Sequence, residues 1–388
     1  MGGLRTAESL RRFGYLGPIT LIGEEIHKPY NRPPLSKEVL AKEVNHEAVA
    51  FEERSSTKDI NWVLGTRAVA LDVENNTVTD NEGQVHPYSA LVIATGLRSR
   101  RITVPNGYLA NRFALRTLDD AVALREQLTE GKNVVIVGGG FIGCEVAATA
   151  VKLGCNVTVI HNAAHPMLRQ LGIELAKQMQ LRHEAMGVRF LLKRSVVDLV
   201  GRTHIEGVLL DDETTVDADV LIEAVGSHPN VEWISNNNID RNDGVLVDSA
   251  MRVTRKDGTV ISNVFAIGDL ARFANPIFDF EPRKVEHWNI PTETAKRAAA
   301  VIAAMLNQTD VYPAILDEVF KPIPSFWSDQ YENHLLAFGL CVLADKVTLV
   351  AGEISGDCVF EYHRGDQLVG VCGIGMRSVV QSYRAKFI

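Results

Sequence analysis

Glycines 138, 140 and 143 carry the first chemistry in this chain. They follow the apolar, β-branched run Asn133-Val134-Val135-Ile136-Val137. A helical pattern of small residues then runs from Cys144 to Leu153, Gly154 stops it, and a second β-branched run, Asn156 to Ile160, closes the unit. Strand, glycine turn, helix and strand within ~28 residues is the setting in which G-x-G-x-x-G binds a dinucleotide. Gly138 allows the tight turn, Gly140 lets the backbone approach a pyrophosphate, and Gly143 lets the helix pack closely on the strand. The N-terminus of that helix adds free N–H groups and a positive dipole end, both of which favour phosphate.

A second unit of this kind is read at the start of the chain. Met1-Gly2-Gly3 runs into a helical pattern, Leu4 to Phe13, ended by Gly14, and then into Ile19-Thr20-Leu21-Ile22-Gly23-Glu24. Gly3 takes the place of the third glycine. Glu24, 21 residues further on, takes that of the acid that accepts hydrogen bonds from a ribose. The first strand and first two glycines of such a unit are not in the sequence. In a doubly wound sheet that strand lies in the middle, so the expectation is a start placed too far downstream, an unpaired sheet edge and impaired retention of a cofactor.

Further along, three prolines keep the segment 29–37, PYNRPPLSK, out of regular structure until Pro34 opens a short helix, Leu35 to Ala41. That loop holds Arg32 and Lys37 as a candidate ligand clamp. Short strands at 62–63, 68–73, 77–79 and 90–93 lead to Ala94-Thr95-Gly96 and a basic run, Arg98, Arg100 and Arg101, which reads as a solvated loop. A helix over 118–128 precedes the glycine unit. A helix over 171–186, a strand over 188–192 and hairpin-like strands lead to Val220–Gly226, and a buried-type strand ends in Ile267-Gly268-Asp269. A helix from Thr292 to Leu306 follows, and from Tyr312 the composition changes to a C-terminal α+β segment.

Composition narrows the classes. The 388 residues suggest two or three domains, and 46% apolar with 23% charged residues is ordinary for a globular chain. No run reaches the roughly 18 apolar residues of a membrane helix. A net charge of −8 argues against nucleic acid. The five cysteines are scattered without a C-x-x-C pair, which argues for a reducing, cytoplasmic setting and against zinc or a redox-active dithiol.

Taken together, these residues resemble the FAD-dependent pyridine-nucleotide oxidoreductases of the ferredoxin reductase type, which serve oxygenases and cytochromes P450. The matching segments are Leu4-Arg5…Gly14-Tyr15 with Ile19–Ile22; Tyr30-Asn31-Arg32-Pro33-Pro34-Leu35-Ser36-Lys37; Ala94-Thr95-Gly96; the glycine run with Glu145; Phe265–Asp269; Glu286-His287-Trp288; and Pro324-Ser325-Phe326-Trp327-Ser328-Asp329-Gln330-Tyr331. The resemblance implies an α/β protein with two Rossmann-like dinucleotide-binding domains of the glutathione-reductase type and a C-terminal α+β domain. It implies an FAD domain over 1–112 and 231–310, an NAD(P)H domain over 113–230 and a C-terminal domain over 311–388. Gly3, Glu24, Arg32, Lys37, Ala94, Thr95, Gly96, Gly268 and Asp269 would line FAD. His287, Trp288 and Trp327 would lie near its isoalloxazine. Gly138, Gly140, Gly143, Glu145, His161 and Gly226 would serve the pyridine nucleotide. Lys37 and Glu145 would form a pair beside the flavin, where the ammonium stabilises charge arriving with a hydride.

The implied activity is transfer of electrons from NADH or NADPH through FAD to a small iron–sulfur ferredoxin, most often of the [2Fe–2S] type. The chain would be a monomer or weak dimer, without metal. Where NADH users carry Glu after the strand 156–160, this chain has His161, which leaves NADH and NADPH both open. Without a dithiol, electrons would leave the flavin directly, and Cys144 reads as a small core residue. Arg283 and Lys284, with Arg98 to Arg101, are candidates for a basic docking face toward an acidic carrier. Two other readings stand beside this one: an NADH-gated binding protein like the apoptosis-inducing-factor flavoproteins, and a flavin-free remnant.

Overall fold

The computed structural model describes residues 1–387 and divides into two compact units, each assembled from separated segments. The first comprises Met1–Asn31, Ala50–Arg98 and His228–Ser325. The second comprises Arg32–Val49, Ser99–Ser227 and the chain from Phe326 on.

The glycine run lies in the second unit, in a five-stranded parallel sheet. Its strand order is Arg189–Leu192, Asn156–His161, Asn133–Val137, Val220–Glu223, Arg112–Phe113. The strand Asn133–Val137 is central, and Val134, Val135 and Ile136 are at most 1% exposed. That is why its sequence is an unbroken apolar run rather than an alternating one. Burying each such side chain contributes about 1.5–3 kcal/mol. The chain leaves this strand to one side for Asn156–His161 and returns on the other as Val220–Glu223. The order therefore reverses here, and a doubly wound sheet leaves its ligand crevice at the carboxyl ends of the strands flanking such a point.

The helix Phe141–Lys152 packs on this sheet through Gly143, Cys144, Ala147 and Ala150, small residues that let backbone approach backbone. The helix expected over 171–186 runs from Leu168 to Ala185 and is kinked at Gly172, whose φ of +74° breaks the helical path. Val347 lies against that glycine, 3.1 Å from where a Cβ would stand. From Ser325 the chain forms a five-stranded sheet in the order Ser325–Gln330, Asn333–Gly339, Gln367–Ile374, Cys358–Arg364, Lys346–Gly352, antiparallel across its last four strands.

In the first unit the helices Gly2–Arg12 and Ile290–Leu306 pack together. Leu4, Ala7 and Leu10 on one and Ala295, Ala298, Ala299 and Ile302 on the other form buried stripes at helical spacing. The strand Thr20–Gly23 pairs in parallel with Asn61–Leu64, and Leu91–Ile93 pairs in parallel with Val260–Ala266. These two pairs lie in separate sheets. No helix among the described residues is long and apolar enough to cross a membrane.

Candidate functional site

In the second unit the proline-rich loop becomes a short 3₁₀ turn, Pro33–Ser36, followed by the helix Glu38–Ala41. Lys37 stands between them. Its Nζ lies 2.7 Å from Oε2 of Glu145, in the second turn of the helix Phe141–Lys152. The Ser36 hydroxyl donates to the same oxygen at 2.6 Å, and the Ser328 hydroxyl donates to Oε1 at 2.6 Å. Thr149, one helical turn beyond Glu145, donates its hydroxyl to the Ser36 carbonyl at 2.8 Å. The helix thus grips the loop at two points. Glu145 is 7% exposed, and a carboxylate at that depth is costly unless charge and hydrogen bonds compensate it. Here an ammonium and two hydroxyls do so.

Lys37 and Glu145 were expected as a pair. The two serines were not assigned a role, although the segments RPPLSK and FWSDQY contain them, because sequence spacing cannot show that Ser328 reaches a residue 183 positions away. Trp327, on the opposite face of the same strand, is 37% exposed. The guanidinium of Arg32 donates to the carbonyl of Arg116.

The glycine turn has the geometry its sequence demands. Gly138 has φ +110°, and a Cβ there would stand 2.2 Å from the carbonyl oxygen of Ala224. A Cβ on Gly143 would stand 2.0 Å from the carbonyl oxygen of Gly138. A Cβ on Gly140, the N-cap of the helix, would meet nothing within 4 Å, so this is the open side on which a phosphate could come up to the backbone. His161 closes the end of its strand. Its Nδ1 accepts the N–H of Gly139 at 3.2 Å, which puts the ring proton on Nε2, and burial draws its pKa down. The neighbouring Arg194 faces Asp212 at 2.5 Å. The Gly226 carbonyl accepts the Arg100 N–H.

The remaining candidates fall in the first unit. A Cβ on Gly3 would stand 2.8 Å from Leu21 and 3.9 Å from Ala94, so the start of the helix, the first strand and the loop after Ile93 meet there. No side chain caps the first turn of the helix Gly2–Arg12. Glu24, just past the strand Thr20–Gly23, is exposed, with Arg67 3.8 Å away. Asn230 pins the loop Ala94-Thr95-Gly96: its carbonyl accepts the Thr95 hydroxyl at 2.7 Å, and its amide donates to the Thr95 carbonyl at 2.9 Å. Gly268, with φ +73°, donates its N–H to the Thr294 hydroxyl and leads into Asp269. An uncapped helix start, an exposed acid at a strand end and an Asp after a buried strand suit a nucleotide with phosphate and polyol groups. Burial draws His287 down to about 4, so its imidazole is neutral, and the adjacent Trp288 is 40% exposed.

Two expectations change. The run Arg98 to Arg101 is not simply solvated: Arg98 pairs with Glu232, and Arg101 joins Arg112 in holding the fully buried Glu223. Arg283 and Lys284 are also engaged, Arg283 with Asp279 and Lys284 with Asp243 and Glu286. Their charge is neutralised locally, and a basic docking face does not rest on them. All five cysteines are free and buried. Burial raises the Cys144 thiol, so it is a core residue and not a thiolate.

Residues 1–295 match the family described as pyridine nucleotide-disulphide oxidoreductase. The chain is 35% identical over 361 residues to the anthranilate 1,2-dioxygenase system ferredoxin–NAD(+) reductase component of Burkholderia cepacia, covering 90% of this chain and 82% of the relative. It is 33% identical over 350 residues to rubredoxin-NAD(+) reductase of Pseudomonas putida, covering 89% and 86%. The crystal structure of the covalent putidaredoxin reductase–putidaredoxin complex superposes with a TM-score of 0.89 at 29% identity, covering 100% of this chain and 90% of that one. With residues 1–295 matched by that family and relatives at 33–35% identity covering about nine-tenths of it, the chain belongs to the pyridine nucleotide-disulphide oxidoreductase family.

Proposed function

We propose that this protein is a flavoprotein reductase that carries electrons from NADH to a small ferredoxin-type protein serving an oxygenase or cytochrome P450. The observation that carries the proposal is the Lys37–Glu145 pair, 2.7 Å apart, which joins the proline-rich loop to the helix that opens from the glycine turn. It stands in a chain whose cysteines form no disulfide. FAD, when bound, supplies the chemistry: it takes up two electrons as a hydride and gives them out singly.

The chain's own residues bind and orient. Gly3, Glu24, Ala94, Thr95, Gly96, Gly268 and Asp269 are assigned to FAD within the first unit, and Gly138, Gly140, Gly143, His161 and Gly226 to the nucleotide within the second. By ligand, the segments 1–112 and 231–310 form the FAD domain, 113–230 the nucleotide domain and 311–388 the C-terminal domain. Glu145 holds Lys37 in place, and the Lys37 ammonium is a fixed positive charge that favours uptake of a hydride's electrons nearby. The carrier is assigned as an iron–sulfur protein, with the [2Fe–2S] type first, since names among the relatives include both ferredoxin and rubredoxin reductases.

The test is an anaerobic titration of the purified chain, first with NADH and then with NADPH, followed by visible absorbance. Rapid bleaching of a flavin band, followed by reduction of an added ferredoxin, supports the proposal. Slow bleaching that leaves a stable long-wavelength band points instead to an NADH-gated binding protein. No flavin band at all overturns the assignment for this chain.

A further inference from the structure

The Ser328 hydroxyl is one link in a buried file of hydrogen bonds that ends on Glu145. Ser328 and Gln330 lie two residues apart on the strand Ser325–Gln330, so they share its inward face. Both are 0% exposed, as is His183 on the helix Leu168–Ala185. The Gln330 amide nitrogen lies 2.9 Å from Ser328 Oγ and 3.3 Å from Met167 Sδ. The Gln330 amide oxygen lies 2.7 Å from His183 Nε2.

The direction of the bonds follows from the carboxylate, and Met167 Sδ, which can only accept, favours the same turn of the Gln330 amide. An ionised Glu145 accepts and cannot donate. Ser328 has one hydroxyl proton, and Glu145 takes it. Ser328 Oγ can then only accept, so Gln330 must turn its NH₂ toward it. The Gln330 oxygen is left facing His183, which must carry its proton on Nε2. Three residues thus point their donors one way, toward Glu145 Oε1, while Ser36 and Lys37 serve Oε2.

We propose that Ser328 and Gln330 are positioning residues for Glu145: the file fixes the carboxylate in the rotamer that holds Lys37. The role rests on the reductase reading given above. It assigns the inward half of the strand that carries Trp327 to the same site, acting through Glu145 and not on any substrate.

The test uses the full chain with its flavin, comparing Ser328→Ala and Gln330→Met alone and combined with Glu145→Gln. Ser328→Ala should slow flavin reduction by NADH about tenfold, the order of one hydrogen bond to a charged group, with flavin content retained. Gln330→Met, one link further out, should have a smaller effect in the same direction. Neither should slow reduction further once Glu145→Gln is present, because both act through that carboxylate. Nitrogen-15 spectra of histidine-labelled protein supply a readout independent of turnover. They should show His183 protonated at Nε2 in the parent and altered by Glu145→Gln, since an amide at 145 no longer dictates the direction of the file.

Failure to bleach in the unsubstituted protein overturns the reductase reading. Normal bleaching there, with equal losses from Ser328→Ala in both backgrounds or a His183 signal indifferent to Glu145→Gln, overturns the positioning role alone.

Discussion

Lys37 Nζ and Glu145 Oε2 stand 2.7 Å apart with side-chain exposures of only 18% and 9%. A pair at this depth is sensitive to losing one member, because the other is left buried and uncompensated. Lys37→Met removes the positive charge and keeps the length of the stem. Reduction of the flavin by NADH should slow by about 10²-fold, the effect of removing one fixed electrostatic donor. Stability should fall by roughly 1–3 kcal/mol, less than for a fully buried pair because Ser36 and Ser328 still donate to the carboxylate. Stopped-flow absorbance and urea melts measure both. A Lys37→Met protein that is reduced at the parent rate would remove the pair from the mechanism.

The second prediction concerns the choice of nucleotide. His161 Nδ1 is occupied by the Gly139 N–H, burial keeps the ring neutral, and Arg194 is matched by Asp212. The strand end therefore lacks the acid that rejects a 2′-phosphate, and the nearby Arg194 guanidinium is already matched by Asp212. His161→Glu should raise the ratio of kcat/KM for NADH over NADPH by about tenfold, mainly by weakening NADPH. Steady-state kinetics with both nucleotides decide it; an unchanged ratio would place the 2′-position elsewhere.

How far the sequence leads can be seen at particular residues. The strand Asn133–Val137 and its glycine turn were legible because a central parallel strand is apolar throughout, and because Gly138 and Gly143 each occupy a place where a Cβ would meet a carbonyl oxygen. The Lys37–Glu145 pair was legible only through resemblance, since nothing in spacing links a proline loop to a helix so far along the chain. Ser328, Gln330 and His183 were opaque for the same reason: each is an ordinary polar residue until the fold closes over it. Charge misled in the opposite direction. Arg283 and Lys284 read as a free basic patch, but Asp279 and Glu286 lie four and two residues away along the same stretch, and the fold brings in Asp243 from a distant loop.

The glycine turn allows binding to be separated from folding. Gly143→Ala places a Cβ about where the Gly138 carbonyl oxygen sits, so helix and strand must part. It should destabilise by about 1–3 kcal/mol, as overpacking does. Gly140→Ala meets nothing, and the backbone there, at φ −79°, suits any residue. It should leave the melting temperature unchanged while weakening NADH by about tenfold, because the methyl group stands where phosphate comes up to the backbone. Thermal melts and nucleotide titrations of the two variants give the contrast. Equal melting temperatures for both would show that the close contact at Gly143 is relieved at no cost.

Acid stability follows from three histidines. Burial lowers the pKa of His161, His183 and His287, in the last case to about 4. Between the ordinary histidine value near 6.5 and these lowered values, the unfolded chain binds protons that the folded one refuses. Stability is therefore intact above about pH 6.5 and declines as pH falls toward 4; for His287 the full loss is about 3 kcal/mol. The lowered carboxyls of Asp80 and Asp219 act in a different window. Their contribution is present above their unfolded pKa, near 4, and is lost only below it. Urea melts at pH 7.5, 5.5 and 4.5 should show the histidine loss in the upper interval, and His287→Gln should flatten that slope. A slope untouched by this substitution would mean that His287 is protonated in the folded protein and that its burial does not govern its charge.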